Sequence, residues 1–199
     1  MHWQKVTLIG LGLLGGSLGL AIKQRRLAAK VDGYVRRSAS IGECEKLGVV
    51  DHATRDLSRA VENADLVIFC TPLGQMRELA ARMLPSMKPG AIVTDVGSVK
   101  GSVVQELEPL MAGTNAHFIG SHPMAGAERM GVNAARADLF NNAICVITPT
   151  AQSLPTAVRR LEEFWGALGA SVLKLTPEMH DNLGRPLAIS RGQVIRQAF

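Results

Sequence analysis

A run of seventeen uncharged residues at positions 6–22 contains the pattern that most constrains the fold of this chain. Five glycines interrupt the run, and three of them form Gly10-Leu-Gly12-Leu-Leu-Gly15, the pattern G-x-G-x-x-G. So many glycines would weaken a membrane-spanning helix, and no small-residue cleavage site follows as it would after a signal peptide. The run is therefore interpreted as a buried strand that turns through the glycines into a helix.

Short runs rich in Val and Ile alternate with helical segments along the first 120 residues, which is typical of βαβ units around a parallel sheet. The predicted strands cover residues 6–10, 31–35, 66–70, 91–95, 118–120, 143–148 and 172–175. The predicted helices cover residues 13–25, 41–47, 57–62, 75–84, 101–111 and 155–168. The expected fold class is α/β, a Rossmann-type doubly wound fold with a mainly parallel sheet, in which residues 1–175 form an NAD(P)-binding domain.

The glycine pattern predicts a dinucleotide site, because it directly follows a predicted strand and opens a predicted helix. In this motif the first glycine permits the tight turn, the second lets the pyrophosphate approach the backbone, and the third lets helix and strand pack closely. The N-terminus of the helix then faces the phosphates. The cofactor-binding residues expected here are Gly10, Gly12, Leu13, Leu14 and Gly15.

The end of the second predicted strand indicates which dinucleotide binds. An acidic residue normally stands about 20 residues beyond the glycines and binds the ribose 2′-hydroxyl, but Val35 occupies that place. Arg36, Arg37 and Ser38 follow, and two guanidinium groups with a hydroxyl suit a 2′-phosphate. We therefore expect a preference for NADP over NAD; the alternative is that both arginines are solvated surface residues. Asp32 lies three residues early and is expected to face away.

Two further predicted strands end in small polar side chains, at Cys70 and Thr71 and near Ser98. Ligands of this fold bind at the carboxyl ends of the parallel strands. Cys70, Thr71 and Ser98 are therefore added to the expected cofactor-binding residues, with Thr71 and Ser98 on the nicotinamide side. Ordinary strand-to-helix turns explain either segment equally well when it is taken alone.

One of the five histidines, His122, lies in a predicted loop directly after a strand edge. Removal of a hydride from a carbinol carbon calls for a base that takes the hydroxyl proton, and imidazole has a suitable pKa. The alternative is a histidine that only hydrogen-bonds its own loop. The other histidines have no comparable position, and no pair has the spacing of metal ligands, so no metal site is expected. These are His2, His52, His117 and His180.

The charge balance argues against a nucleic-acid partner. Lys and Arg number 22 against 17 Asp and Glu, giving a net charge of +5, but the basic residues are scattered rather than clustered. That surplus suits acidic small molecules. Three cysteines without C-x-x-C spacing indicate neither a disulfide framework nor a zinc site, and a cytoplasmic location is expected.

Four motifs together resemble the prephenate/arogenate dehydrogenase family of tyrosine biosynthesis. They are Gly10-Leu-Gly-Leu-Leu-Gly-Gly-Ser17, Thr94-Asp-Val-Gly-Ser-Val-Lys100, Ser121-His-Pro-Met-Ala-Gly126 and Thr176-Pro-Glu-Met-His-Asp181. The resemblance implies oxidative decarboxylation of prephenate or arogenate: the cofactor takes a hydride while the ring carboxylate leaves as CO2 and the ring becomes aromatic. It also implies that His122 and Ser98 are catalytic, with His122 accepting or polarising the substrate hydroxyl. Lys100 and Arg129 are nearby cations and candidates for holding a substrate carboxylate; a surface role is the alternative for either.

The resemblance ends near Asp181. Thr176, Pro177 and Glu178 are concordant start signals for a helix, which Gly184-Arg-Pro186 then interrupts. Members of the family continue into a helical domain that completes the substrate site and forms a homodimer, so residues 176–199 are expected to be a truncated start of that domain. A shifted reading frame is one hypothesis, since one choice of codons for Ala188-Ile-Ser-Arg191 contains codons for His-Leu-Pro in another frame.

Two other functions stay open on the sequence alone. The fold also carries other hydroxyacid dehydrogenases, and a chain without its substrate domain is compatible with a non-catalytic dinucleotide-binding module. The sequence does not choose between prephenate and arogenate as substrate.

Overall fold

The computed structural model describes residues 2–183, which form two adjacent sheets with helices packed against them. The strands are β1 (Trp3–Ile9), β2 (Ala28–Tyr34), β3 (His52–Thr54), β4 (Leu66–Phe69), β5 (Ile92–Asp95), β6 (His117–Phe118), β7 (Gly120–Pro123), β8 (Ile144–Thr148) and β9 (Ser171–Lys174). The helices are α1 (Leu13–Gln24), α2 (Ala39–Lys46), α3 (Leu57–Val61), α4 (Leu73–Met83), α5 (Gly101–Met111), α6 (Pro155–Ala167) and α7 (Pro177–Leu183). The α/β fold class expected from the sequence is confirmed.

The first sheet has six parallel strands in the order β3-β2-β1-β4-β5-β6. This is the strand order of dinucleotide-binding doubly wound folds. Because all six strands run the same way, their carboxyl ends lie along one edge. The connection after β1, which contains the glycine pattern, therefore lies beside the connections after β2 and β4.

Both faces of this sheet are buried. Along β4, Leu66 and Ile68 belong to one hydrophobic core and Val67 and Phe69 to the other. Helices α1 and α6 cover the first face, and α3, α4 and α5 cover the second. Burial on both faces explains why the strands are continuous apolar runs rather than alternating ones.

The second sheet is small and mixed. Strand β7 pairs antiparallel with β8, and β8 pairs parallel with β9. Strand β7 is separated by only one residue, Ile119, from β6 in the first sheet. The N–H of Ile119 donates to the carbonyl of Val93 in β5 (3.0 Å). The chain therefore passes between the sheets without a flexible connection.

The structure differs from the sequence prediction at two strands. Strand β3 was not predicted, because three residues with alternating burial give no apolar run. The strand predicted at residues 118–120 is divided between β6 and β7. Elsewhere the predicted helices and strands are present, with shifts of one to three residues at most ends.

The last helix begins where its start signals place it. Thr176 Oγ1 accepts the N–H of Met179 (3.2 Å), so Thr176 caps α7. Residues 184–199, which include the interruption and the hypothesised frame-shifted tail, lie outside the described residues. Between residues 2 and 183, no helix is both long and apolar enough to cross a membrane.

Candidate active site

Two of the three motif glycines are required by the conformation of the loop between β1 and α1. Gly10 has φ +98°, and its N–H donates to the carbonyl of Tyr34 (3.0 Å). A Cβ at Gly15 would lie 2.0 Å from the carbonyl oxygen of Gly10. The loop therefore folds back on the first turn of α1 more closely than any side chain would permit.

Gly12 differs, because no atom of the described chain lies within 4 Å of the position that a Cβ would take there. A side chain at this position would project into open space beside the first turn of α1. Leu13 and Leu14 open that helix, and the first N–H groups of a helix have no partners within it. Open space over free N–H donors fits the approach of a pyrophosphate.

The turn after β4 packs against the same loop. The carbonyl oxygen of Cys70 lies 3.1 Å, and Thr71 Cγ2 lies 3.0 Å, from the Cβ position at Gly10. Thr71 Oγ1 is buried without a hydrogen-bond partner among the described residues. Burial raises the pKa of the Cys70 thiol, which therefore stays protonated at neutral pH. The structure thus brings together these two expected residues and the glycines.

Arg36, Arg37 and Ser38 form an exposed turn between β2 and α2. Ser38 stands at the N-cap of α2, and its side chain makes no capping hydrogen bond. Arg55, which sequence reasoning missed, follows β3 and donates from Nε to the carbonyl of Arg36 (3.1 Å). A third guanidinium group therefore lies at this turn.

Asp32 faces away from this turn, as expected. Its Oδ2 pairs with Lys5 (2.9 Å) and Lys30 (3.1 Å). The carboxylate is engaged at the side of β2, so it is not available to a ribose at the strand end.

His122 lies in strand β7, which corrects the prediction of a loop. It pairs with Val146 of β8 in an antiparallel ladder. The four-residue strand contains a glycine and a proline, two residue types that are depleted in strands, so its sequence does not look like one. A backbone paired in this way holds the imidazole more firmly than a loop would.

The imidazole of His122 contacts a second histidine from the last helix. His122 Nδ1 lies 2.9 Å from Nε2 of His180, and His180 Nδ1 lies 2.8 Å from Oδ1 of Asp181. His180 is only 5% exposed. Sequence reasoning set His180 aside; the adjacent His-Asp pair inside a motif was the available indication.

Burial is the main reason that the pKa of His122 is lowered from 6.5 to about 4. The nearby His180 and Lys100 oppose a further positive charge, while the carboxylate of Asp181 acts in the other direction. The imidazole is therefore neutral at pH 7 and able to accept a proton.

Lys100 does not hold a substrate carboxylate, contrary to the sequence interpretation. Its side chain is fully buried, paired with the carboxylate of Asp95, and donates to the carbonyl of Ser121 (2.8 Å). Ser98 lies exposed in the turn between Asp95 and Lys100. His122 follows Ser121, so this ion pair lies between the two segments that contain the expected catalytic residues.

Comparison with known proteins shows which family this chain belongs to. A family model described as "Prephenate dehydrogenase, nucleotide-binding domain" matches residues 18–174. The chain belongs to the prephenate dehydrogenase family. The matched region contains every candidate catalytic residue and ends just before the His-Asp pair of α7.

Members of the prephenate dehydrogenase family resemble this chain in sequence and in structure. The cyclohexadienyl dehydrogenase of Zymomonas mobilis is 33% identical over 91% of this chain. A prephenate dehydrogenase from Aquifex aeolicus, solved with hydroxyphenyl propionate and NAD+, has a TM-score of 0.85, 29% identity and 92% coverage of this chain. Synechocystis arogenate dehydrogenase has a TM-score of 0.83, 30% identity and 96% coverage.

This chain spans only part of each of these relatives. It covers 61% of the Zymomonas mobilis protein, 63% of the Aquifex aeolicus chain and 72% of the Synechocystis chain.

Proposed function

We propose that this chain contributes the cofactor half of a dehydrogenase that oxidatively decarboxylates prephenate or arogenate with a nicotinamide dinucleotide. The observation that carries the proposal is a neutral, strand-held histidine in the same domain as an intact dinucleotide loop. His122 lies in β7, which directly continues from β6 at the edge of the parallel sheet. Membership of the prephenate dehydrogenase family supports the choice of substrate class.

In this proposal the chain binds the pyrophosphate over Gly12 and the first turn of α1, while Ser98 and His122 contact the substrate hydroxyl. When bound, the nicotinamide ring accepts a hydride from the ring carbon that bears this hydroxyl. The bond to the ring carboxylate breaks, CO2 leaves, and the released electron pair completes the aromatic ring. Positive charge that builds on the hydroxyl oxygen is relieved as Nε2 of His122 shares its proton. The proton returns to the phenolic oxygen, so the reaction balances.

Turnover assays test this proposal. The purified 199-residue chain, and a version to which the helical domain of the family has been restored, are each mixed with prephenate or arogenate and oxidised cofactor. Reduced cofactor is followed by absorbance, with short hydroxy acids as alternative substrates. In the restored version we expect His122→Asn to reduce turnover by at least about a hundredfold while cofactor affinity is unchanged. Turnover of the hydroxy acids alone, or of none of these substrates, by the restored version would overturn the assigned reaction.

The dinucleotide is proposed to be NADP in preference to NAD. Three arginines support this choice, because Arg36, Arg37 and Arg55 place cationic groups at the turn where the 2′-substituent of the adenine ribose binds in this fold. Titration of the chain with each oxidised cofactor tests it. Equal dissociation constants would show that there is no preference.

A further inference from the structure

The contacts of His122 continue through two more side chains, His180 and Asp181, to the backbone at the start of α5. Asp181 Oδ1 accepts the N–H of Lys100 and Asp181 Oδ2 accepts the N–H of Gly101, each at 2.8 Å. These two N–H groups lie at the start of α5, where helix donors have no intrahelical partner. With both oxygens accepting from fixed donors, the carboxylate of Asp181 is held as an acceptor.

The positions of the protons follow from this anchor. A carboxylate that accepts from the backbone also accepts from His180, so His180 carries its proton on Nδ1. In a neutral imidazole the other nitrogen is then an acceptor, so His180 Nε2 accepts from Nδ1 of His122. His122 is left with an unprotonated Nε2.

We propose that His180 and Asp181 are positioning residues that fix the tautomer of His122, so that its Nε2 lone pair is the one offered to the substrate hydroxyl. The proposal rests on the function proposed above for His122. The three groups have the connectivity of a catalytic triad, in which a buried carboxylate orients a base through its Nδ1–H. Here a second imidazole is inserted between carboxylate and base.

The relay formed by His122, His180 and Asp181 also joins separate parts of the fold. His122 belongs to β7, His180 and Asp181 belong to α7, and the N–H donors belong to the N-cap and first residue of α5. Helix α7 packs on α5 and lies beyond the region that the family's nucleotide-binding domain matches. The relay therefore makes the orientation of His122 depend on the packing of α7 against α5.

The first experiment reads the tautomers directly. Long-range proton–nitrogen NMR spectra of the full chain, labelled with 15N-histidine, distinguish protonated from unprotonated ring nitrogens at pH 7. We expect the wild-type His122 to be protonated on Nδ1 and unprotonated on Nε2. A wild-type His122 with its proton on Nε2 would overturn the proposal.

Asp181→Leu is the decisive variant, because leucine has the branched shape of the aspartate side chain but offers no acceptor to His180. His180 then loses the partner that holds its proton on Nδ1, so we expect Nε2 of His122 to become protonated in a detectable part of the molecules. Turnover should fall by at least about a hundredfold, through kcat rather than KM, with cofactor affinity unchanged. An unchanged tautomer, or a changed tautomer with normal turnover, would overturn the proposal.

Asp65→Leu is the matched control. The carboxylate of Asp65 also accepts two consecutive backbone N–H groups, from Gln4 (2.6 Å) and Lys5 (3.0 Å). Asp65 directly precedes the amino end of β4, whereas the candidate site lies at the carboxyl ends of the parallel strands. We expect this variant to lose stability while the tautomer of His122 and turnover are retained. The same loss of turnover in both variants would attribute the effect to folding and overturn the proposal.

A second pair of variants keeps the proposal testable if Asp181→Leu fails to fold. In His180→Gln the amide oxygen can still accept from Nδ1 of His122, whereas in His180→Phe no acceptor remains. We expect the glutamine variant to keep more of the wild-type tautomer and turnover than the phenylalanine variant. If both behave alike, the relay has no positioning role. Should the wild type with the helical domain restored turn over neither substrate, the proposed function fails, while the NMR result still decides the tautomer of His122.

Discussion

The ammonium group of Lys100 and the carboxylate of Asp95 form an ion pair that is completely excluded from solvent. Burial raises the pKa of Asp95, and the adjacent Lys100 opposes that rise. Asp95 Oδ1 also accepts the N–H of Ser121 (3.2 Å), so the pair fastens β5 to β7. The ion pair is therefore a structural junction next to His122 rather than a substrate contact.

Replacing Lys100 with Met should reduce the free energy of unfolding by about 3–5 kcal/mol, because it leaves a buried carboxylate without its partner. Urea denaturation at pH 7 measures the change. Lys23→Met is the control, since Lys23 pairs with Asp51 at the surface (2.6 Å) and such pairs contribute about 1 kcal/mol or less. Equal losses of unfolding free energy for the two substitutions would contradict a structural role for the buried Lys100–Asp95 pair.

Alanine substitutions should separate the roles of two loop glycines. Gly15→Ala places a methyl group against the carbonyl of Gly10, so we expect it to cost about 1–3 kcal/mol of stability. Gly12→Ala meets no atom of the described chain, so stability should be retained while cofactor affinity falls at least about tenfold. Thermal unfolding and cofactor titration measure the two effects.

Gly166→Ala is the control for that pair, because Gly166 in α6 also has no atom near its Cβ position. It should leave cofactor affinity unchanged and stabilise the helix slightly. Normal cofactor binding by Gly12→Ala would show that the open space beside α1 is not the pyrophosphate site.

The lowered pKa of His122 predicts a pH dependence of stability. With a folded pKa of about 4 against 6.5, the unfolded state binds a proton in this window that the folded state does not. Stability contributed by the neutral imidazole is thus complete above pH 6.5 and is lost as the pH falls toward 4. The groups that act on this imidazole are His180, Lys100 and Asp181.

Urea unfolding of the wild type and of His122→Asn between pH 7 and pH 4 measures this contribution. The wild type should lose more stability across the window than the variant does. Parallel curves would show that the pKa of His122 is not lowered in the folded protein.

Arg55 should affect cofactor preference although it is distant in sequence from the other two arginines. Arg55→Ala removes a cation beside Arg36, so we expect weaker binding of NADP and little change for NAD. The difference should shrink at high salt, because exposed charges are screened. Arg159→Ala, which changes an exposed arginine on α6, is the control. Equal losses for both cofactors would contradict a role at the 2′-phosphate.

Much of the fold follows from local sequence. The glycine pattern between an apolar strand and a helix required a specific turn, and the structure has it at Gly10 and Gly15. The parallel sheet follows from continuous apolar strands such as β4, whose residues are buried on both faces. These features depend on neighbours in sequence, which is why they could be predicted.

The catalytic arrangement depends on contacts between distant segments and was predicted only in part. His122 and His180 are 58 residues apart, and no local pattern indicates that β7 and α7 bring their rings together. Lys100 was expected to hold a substrate carboxylate or to lie at the surface, because a charged residue is rarely buried; its pairing with Asp95 permits the burial. Arg55 was missed because β3, which precedes it, is too short to be recognised.

The short passage from β6 to β7 has a mechanical consequence. From the Ile119 N–H bond through the ladder with β8, backbone hydrogen bonds hold the segment that ends in His122, leaving no hinge. Together with the buried ion pair between Lys100 and Asp95, these backbone bonds fix the position and orientation of the His122 imidazole. In the function proposed for His122, the substrate is therefore oriented toward an imidazole whose position the surrounding backbone already fixes.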